Sequence, residues 1–150
     1  MSKTLRMKSS KNTTRSQRKN SLKNFQREIT VKFLEILIMI KLFHWKTTSF
    51  ATHKATDELY ASLNTNIDNF IEVLLGKSGS RTDLLSHKNI ALIDLNSQEQ
   101  LKSKIDSIKS YLVDLDSNKA LRTMSNSDLF NIRDEILSDL NKFLYLLSFK

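Results

Sequence analysis

Apolar residues recur every three or four positions along four segments of the chain, at about residues 19–46, 50–76, 97–117 and 127–148. This spacing lines one face of an α-helix, which has about 3.6 residues per turn. We therefore predict an all-α fold in which four amphipathic helices form a four-helix bundle. The predicted core-facing residues are Leu22, Phe25, Ile29, Phe33, Ile36, Ile40, Phe43, Leu59, Leu63, Ile67, Phe70, Leu74, Leu101, Ile105, Ile108, Leu112, Leu115, Leu129, Ile132, Ile136, Leu140, Phe143 and Leu147.

Residues with known positional preferences mark the helix ends. Hydroxyl side chains at 47–49 are candidate caps between the first two helices. Gly76 is a natural residue to follow the second helix. Ser97 with Gln100 three residues later forms a capping box, and the fourth helix is expected to open near Ser127. Residues 77–96 are predicted as a loop, and its apolar piece at 84–95 is consistent with either a brief helix or a packed loop.

Composition narrows the class of protein. A chain of 150 residues is one domain by size, and two glycines with no prolines favour long helices. The absence of cysteine excludes disulfides, iron–sulfur clusters and Cys-zinc sites. Walker A, GxGxxG and zincin motifs are absent as well. The most apolar stretch, residues 31–43, is too short and too charged to cross a bilayer, so we expect a cytoplasmic protein with no membrane partner.

The positive charge is concentrated at the start of the chain. The net charge is +8, and residues 1–20 hold seven basic side chains and no acidic one. We predict that residues 1–18 form a disordered basic arm. Its functional interpretation is phosphate binding to DNA or RNA, and the alternative is a solubilising tail. The candidate nucleic-acid-binding residues are Lys3, Arg6, Lys8, Lys11, Arg15, Arg18 and Lys19.

Four side chains of the types that bind metals lie on one stripe of the second helix. Taking His53 as zero, Asp57, Asp68 and Glu72 fall near 40°, 60° and 100°, because each helical residue advances about 100°. Imidazole and carboxylate ligands suit iron and other divalent transition metals. The apolar face of the helix lies roughly 130° away, so the stripe borders a surface other than the core.

The spacing of these residues predicts a site shared between two copies of the chain. His53 and Glu72 are 19 residues apart, or about 28 Å along a helix, too far to bind one ion. The pairs 53/72 and 57/68 share one midpoint, near residues 62 and 63. Two copies of the helix packed antiparallel about a two-fold axis would place His53 beside Glu72 of the partner subunit. Small residues at 61, 62 and 65 would allow close approach. We predict a homodimer with two equivalent metal sites.

The order His44-Trp45, then His53-x3-Asp57, then Asp68-x3-Glu72 resembles the Dps proteins, the iron-storing and DNA-protecting branch of the ferritin-like superfamily. The resemblance covers roughly residues 20–76. It implies a ferritin-like bundle and a ferroxidase centre that oxidises Fe²⁺ across the subunit two-fold. A homodimer is the smallest assembly that fits, and the sequence does not decide between that dimer and a larger shell. It also implies a basic arm that binds DNA. The implied metal ligands are His44, His53, Asp57, Asp68 and Glu72, with Trp45 packed beside them.

The segment also looks like short ferritin-like proteins of large DNA viruses and phages, which would place the chain in a host cytoplasm or a virion. The gap between His44 and His53 is three residues shorter than is usual in Dps proteins. Two alternatives remain open: a nucleic-acid-binding protein that uses the arm, and a structural helical protein such as a virion component without ferroxidase activity. His87, in the predicted loop, is a weak further candidate for metal binding.

Overall fold

A computed structural model describes the backbone of residues 2–84, 86–87 and 89–149, and within these ranges the side chains from residue 15 onward. Its four main helices are α1 (Ser2–Lys46), α2 (Phe50–Ser78), α3 (Gln98–Asp114) and α4 (Ser127–Leu147). The prediction of an all-helical chain with four main helices is confirmed.

The first helix begins earlier than the apolar pattern predicted. We placed its start at residue 19, after an irregular arm, whereas the helical backbone starts at Ser2. Residues 1–46 contain neither glycine nor proline, so no residue in this segment interrupts a helix. Apolar periodicity reports only the part of a helix that faces a core, and a helix that continues past the core carries no such signal.

The second helix ends two residues later than predicted. Gly76 was expected to follow the helix, but it lies within α2, and Gly79 takes the terminating role. Gly79 has φ 64° and ψ 25°, the left-handed conformation that glycine adopts without a steric penalty. Its backbone N–H donates to the carbonyl of Leu75, which would otherwise lack a partner at the helix end.

Side-chain caps fix the start of two helices where the sequence predicted them. The Ser49 hydroxyl accepts a hydrogen bond from the Thr52 N–H at 3.3 Å, at the start of α2. The Ser97 hydroxyl accepts from the Gln100 N–H at 3.2 Å, at the start of α3. The side chain of Gln100 accepts in return from the backbone N–H of Asn96 at 2.8 Å. Each cap satisfies an amide that has no carbonyl partner within the helix.

Contacts between the helices define their directions. α1 and α2 are joined by three residues and therefore run antiparallel. Asn66 of α2 donates to Asp139 of α4, and Lys77 pairs with Asp128, so α4 runs antiparallel to α2. Gln98 at the start of α3 donates to Thr52 at the start of α2, and Arg133 near the start of α4 reaches the Leu112 carbonyl near the end of α3, so α3 runs parallel to α2 and antiparallel to α4. The resulting order of directions is up, down, down, up.

The connection between α2 and α3 runs along the C-terminal part of α1. Near its start, the Arg27 side chain donates to the backbone carbonyl of Asp83 at 2.9 Å. Near its end, Lys46 pairs with Asp94 at 2.9 Å. These two anchors on α1 are 19 residues apart, or about 28 Å along the axis. The described part of the apolar piece at 84–95 has no helix, and Ile93 packs against the core. The packed loop, rather than the brief helix, is what forms here.

One apolar core lies between the four helices and unites nearly all of the predicted residues. Leu63 and Phe70 of α2, Leu101 of α3 and Leu140 of α4 have no exposed surface. Phe33 of α1 meets the Phe70 ring edge-on at 5.4 Å between ring centres. Leu22, Ile132 and Leu147 are half-buried at the margin of the core.

Candidate metal-binding site

Two of the predicted ligands, His44 and His53, lie against each other where α1 ends and α2 begins. Their ring centres are 3.9 Å apart, and the ring planes are inclined by 23°. Nδ1 of His44 is 3.0 Å from the backbone carbonyl oxygen of His53, and Nδ1 of His53 is 3.0 Å from the carbonyl oxygen of His44. The two residues therefore fasten each other through a reciprocal pair of hydrogen bonds, which we call the histidine clasp.

The clasp fixes which nitrogen of each ring carries a proton. A backbone carbonyl can only accept a hydrogen bond, so Nδ1 of each ring must be the donor. In a neutral ring the lone pair then lies on Nε2. Metal-binding histidines commonly donate their second ring nitrogen to a carbonyl or carboxylate in this way, because the bond fixes the ring orientation and the tautomer.

Thr56 contacts the histidine clasp through a hydrogen bond to His44. Its side chain has no exposed surface, and its hydroxyl oxygen is 3.1 Å from Nδ1 of His44. The same hydroxyl donates toward the carbonyl of Thr52, at 2.8 Å, and lies 3.0 Å from that of His53. Thr56 is not among the residues predicted for the site, although its position three residues after His53, on the next turn of the same helix, could have indicated it.

Burial separates the two histidines from the three acids. His44 is buried, with 9% of its surface exposed, and His53 is half-buried. Asp57, Asp68 and Glu72 are all exposed on α2. The stripe therefore faces away from the core, as its angle on the helix predicted. Because it faces away from the core, the acids are accessible to a second protein surface or to an ion.

Trp45 lies beside the clasp in sequence but is 71% exposed, so within one chain it does not pack beside the histidines as expected. Phe50, which is 74% exposed, lies at the other side of the same turn between α1 and α2. The turn thus presents two large aromatic side chains to solvent next to the histidine clasp.

The remaining predicted residues lie elsewhere. Arg15, Arg18 and Lys19 are exposed on α1. His87 is exposed and borders a surface cleft with Arg27 and other residues of α1, away from the clasp. The side chains of Lys3, Arg6, Lys8 and Lys11 lie outside the described part of the structure.

Within one chain, the predicted ligands do not complete a metal site. Across the side chains from residue 15 onward that the structure describes, no group of three or more His, Asp or Glu residues is close enough to hold one ion. Two histidines come together, while Asp68 and Glu72 lie further along α2, at roughly 22 and 28 Å of axial distance from His53. This separation follows from the helical spacing.

A match to a known family begins at His44. Residues 44–147 match the family described as "Family of unknown function (DUF5856)". The chain belongs to this family. The region shared with DUF5856 includes the histidine clasp, the acidic stripe and three of the four helices, and it excludes most of α1. No curated protein and no solved structure matches the chain.

A helix of this DUF5856 member would need about 20 predominantly apolar residues to cross a bilayer. Within the described residues, none combines sufficient length with sufficient apolar character to span a membrane.

Proposed function

We propose that this protein binds and oxidises Fe²⁺ at two equivalent sites formed between two antiparallel copies of α2, as in a Dps-like member of the ferritin-like superfamily. The observation that carries the proposal is the histidine clasp. It ties both Nδ1 atoms to carbonyl groups, so both neutral rings keep a lone pair on Nε2, at the start of a helix that carries three exposed carboxylates along one face. Imidazole nitrogen and carboxylate oxygen together suit Fe²⁺.

The order of helix directions supports a ferritin-like bundle. Up, down, down, up with one long connection between the second and third helices is the connectivity of ferritin-like folds. Here the connection is anchored to both ends of the same stretch of α1, through Arg27 and Lys46. Four helices joined only by short hairpins would alternate in direction instead.

The stacked rings favour two ions per site. The ring planes of His44 and His53 are inclined by 23° and their centres are 3.9 Å apart, so the two planes meet roughly 9 Å from the ring centres. A single ion at a bond length of about 2.1 Å from each Nε2 cannot lie in both ring planes. His44 and His53 would therefore bind one ion each, with carboxylates shared between the ions. Paired ions about 3.5–4 Å apart are common in enzymes that use two metals.

The exposed face of α2 is self-complementary beyond the metal ligands. Phe50 and Leu75 share the midpoint that relates His53 to Glu72, and both lie within about 60° of His53 on the helix. Phe50 is 74% exposed in the single chain, and Leu75 is half-buried. An antiparallel pair would place Phe50 against Leu75 of the partner subunit at each end. Burying these apolar side chains would stabilise the dimer.

In this arrangement the two subunits supply different ligands to each site. His53 and Asp57, one helical turn apart, would bind one Fe²⁺, and His44 would bind the second. Asp68 and Glu72 of the partner subunit would supply the remaining carboxylates. Each Fe²⁺ would give up one electron, and the two electrons, with two protons from water, would reduce one oxygen to hydrogen peroxide or one hydrogen peroxide to two waters, leaving two Fe³⁺. Thr56 takes no part in the reaction and keeps His44 in its orientation.

Subunit complementation tests both the metal site and its sharing between subunits. His53→Ala and Glu72→Ala should each abolish Fe²⁺ oxidation. When the two inactive variants are unfolded, mixed in equal amounts and refolded, half of the dimers carry one copy of each. One of the two sites in such a dimer keeps all its ligands, so about one quarter of the wild-type activity should return.

The control pair is His53→Ala with Asp57→Ala, whose ligands belong to the same half-site. No dimer of this mixture contains an intact site, so activity should stay absent. Anaerobic Fe²⁺ titration of the wild-type protein should give four ions per dimer. Oxidation that survives in the single variants would overturn the metal site. Equal recovery in both mixtures, or recovery in neither, would overturn the shared arrangement.

A second candidate function is nucleic-acid binding, and the exposed cations of α1 favour it. Arg15, Arg18 and Lys19 are all exposed, and no acidic residue precedes Glu28 in the chain. Side chains of this kind release counterions from the phosphate backbone when they bind it. The two functions are compatible, because the cations and the histidine clasp lie toward opposite ends of α1.

A further inference from the structure

The basic surface of α1 continues onto the connection between α3 and α4. This connection contains two short 3₁₀ turns, Leu115–Ser117 and Leu121–Thr123. A cleft of about 190 Å³ separates it from α1, and Arg18 lines one wall while Lys119 lines the other. Arg122 is exposed on the same connection. Arg18 and Lys119 are about 100 residues apart in sequence, and only the fold brings them together.

The cations at this cleft are available to a partner. Among the side chains that the structure describes, neither Arg18 nor Lys119 forms an ion pair. One carboxylate on the connection is already engaged, because Asp116 pairs with Arg133 at 2.6 Å. Two unpaired cations on facing walls attract a polyanion that passes between them.

We propose that this cleft binds the phosphate backbone of duplex DNA, with Arg18 and Lys119 on either side of one DNA strand. The proposal rests on the nucleic-acid binding suggested above and adds a second contact surface, carried by the folded body of the protein. The earlier candidates all belonged to the first 19 residues of the chain.

The surroundings of the cleft favour duplex DNA over two other polyanions. Proteins that bind single strands stack bases on exposed aromatic side chains. The most exposed described aromatics, Trp45, Phe50, Tyr145 and Phe149, all lie near the opposite end of the helices. An anionic membrane surface requires an apolar face that inserts below the headgroups. Residues 15–21 of α1 offer none, because all of them are polar.

The test compares three full-length variants that each lose two positive charges. The cleft variant is Arg18→Gln with Lys119→Gln, and the arm variant is Lys3→Gln with Lys8→Gln. The control is Lys102→Gln with Lys142→Gln, two exposed lysines near the other end of the helices. Binding to a 30-base-pair duplex is measured by fluorescence anisotropy between 50 and 300 mM NaCl. The same titrations with single-stranded DNA and with vesicles of 30% phosphatidylserine separate the other polyanions.

Each lost phosphate contact should reduce the steepness of the plot of log K against log salt by about 0.9. The cleft variant loses two contacts, so its slope should be less steep by about 1.8. At 0.1 M salt this corresponds to roughly 60-fold weaker binding to the duplex. The control should bind like the wild type. A cleft variant that also matches the wild type, while the arm variant loses affinity, would overturn the cleft and leave the arm as the DNA-binding element. If the wild-type protein binds single strands or vesicles in preference to the duplex, or does not bind the duplex at all, the proposal is wrong.

Discussion

The two glycines of the chain lie three residues apart, and the structure predicts that replacing each by alanine changes stability in opposite directions. Gly76 lies in the last turn of α2, where an added Cβ meets no atom within 4 Å. Gly79 also has open space around it, but its φ of +64° is a conformation that alanine rarely adopts. Steric crowding is therefore the same at both sites, and only the backbone conformation differs.

The expected magnitudes follow from this difference. Alanine at position 76 should stabilise the protein by about 0.5 kcal/mol, because glycine within a helix costs conformational entropy. At position 79 the left-handed conformation costs about 1–2 kcal/mol. A less flexible unfolded chain offsets about 0.4–1 kcal/mol of this cost. The net effect should be a destabilisation of about 1 kcal/mol.

The measurement is thermal and urea unfolding followed by circular dichroism at 222 nm. For a chain of this size, 1 kcal/mol shifts Tm by about 2–4 °C, so the two variants should differ by about 3–6 °C. Gly79→Asn provides a control, because asparagine tolerates the left-handed region better than alanine does. A stabilising Gly79→Ala, or two variants with the same Tm, would show that α2 does not end in a left-handed residue at position 79.

Two further predictions concern a helix contact and the histidine clasp. The hydrogen bonds from Lys77 and from the Leu129 N–H lower the pKa of Asp128 from its ordinary value of 3.8. A carboxylate whose pKa is lowered by folding stabilises the folded state above its unfolded pKa. This stability is lost as the pH falls through the folded pKa. Asp128→Asn should therefore be less stable than the wild type at pH 7. The difference between the urea midpoints of the two proteins should shrink below pH 3.8. A difference that stays constant with pH would contradict the ion pair between Lys77 and Asp128. Thr56→Val should weaken Fe²⁺ binding by about 10–100-fold, because His44 loses one of its two hydrogen-bond acceptors. Thr123→Val, at an exposed threonine on the connection between α3 and α4, should leave Fe²⁺ binding unchanged in anaerobic titration, and equal affinities of the two variants would exclude an orienting role for Thr56.

The sequence predicted the helices better than it predicted their ends. Apolar periodicity located the core residues, because burial against neighbouring helices is what selects them. It placed the start of α1 at residue 19, since the helix before that point carries no core-facing stripe. It also chose Gly76 over Gly79, because both are glycines and only the backbone conformation distinguishes a residue inside a helix from one that follows it.

For the candidate site, the sequence predicted which residues share one face of α2, but it did not predict contacts between separate segments. The stripe of Asp57, Asp68 and Glu72 was readable from helical spacing alone, and the structure leaves it exposed. The reciprocal bonds between His44 and His53 were not readable, because they depend on how a three-residue turn sets the angle between α1 and α2. The cleft between Arg18 and Lys119 depends on the packing of segments 100 residues apart, to which local patterns are insensitive.

The connection between α2 and α3 divides the chain into two helical hairpins, a longer one formed by α1 and α2 and a shorter one formed by α3 and α4. α2 packs against α4, so the two halves share one core and the connection acts as a tether between them. Because the two hairpins belong to one chain, their association is intramolecular, which raises the effective concentration of each hairpin for the other. Cutting the backbone near residue 87 should therefore leave two fragments that reassemble at high concentration and separate on dilution. It also follows that gene fusions or inserted sequences at this point would be accommodated without changing how the helices pack.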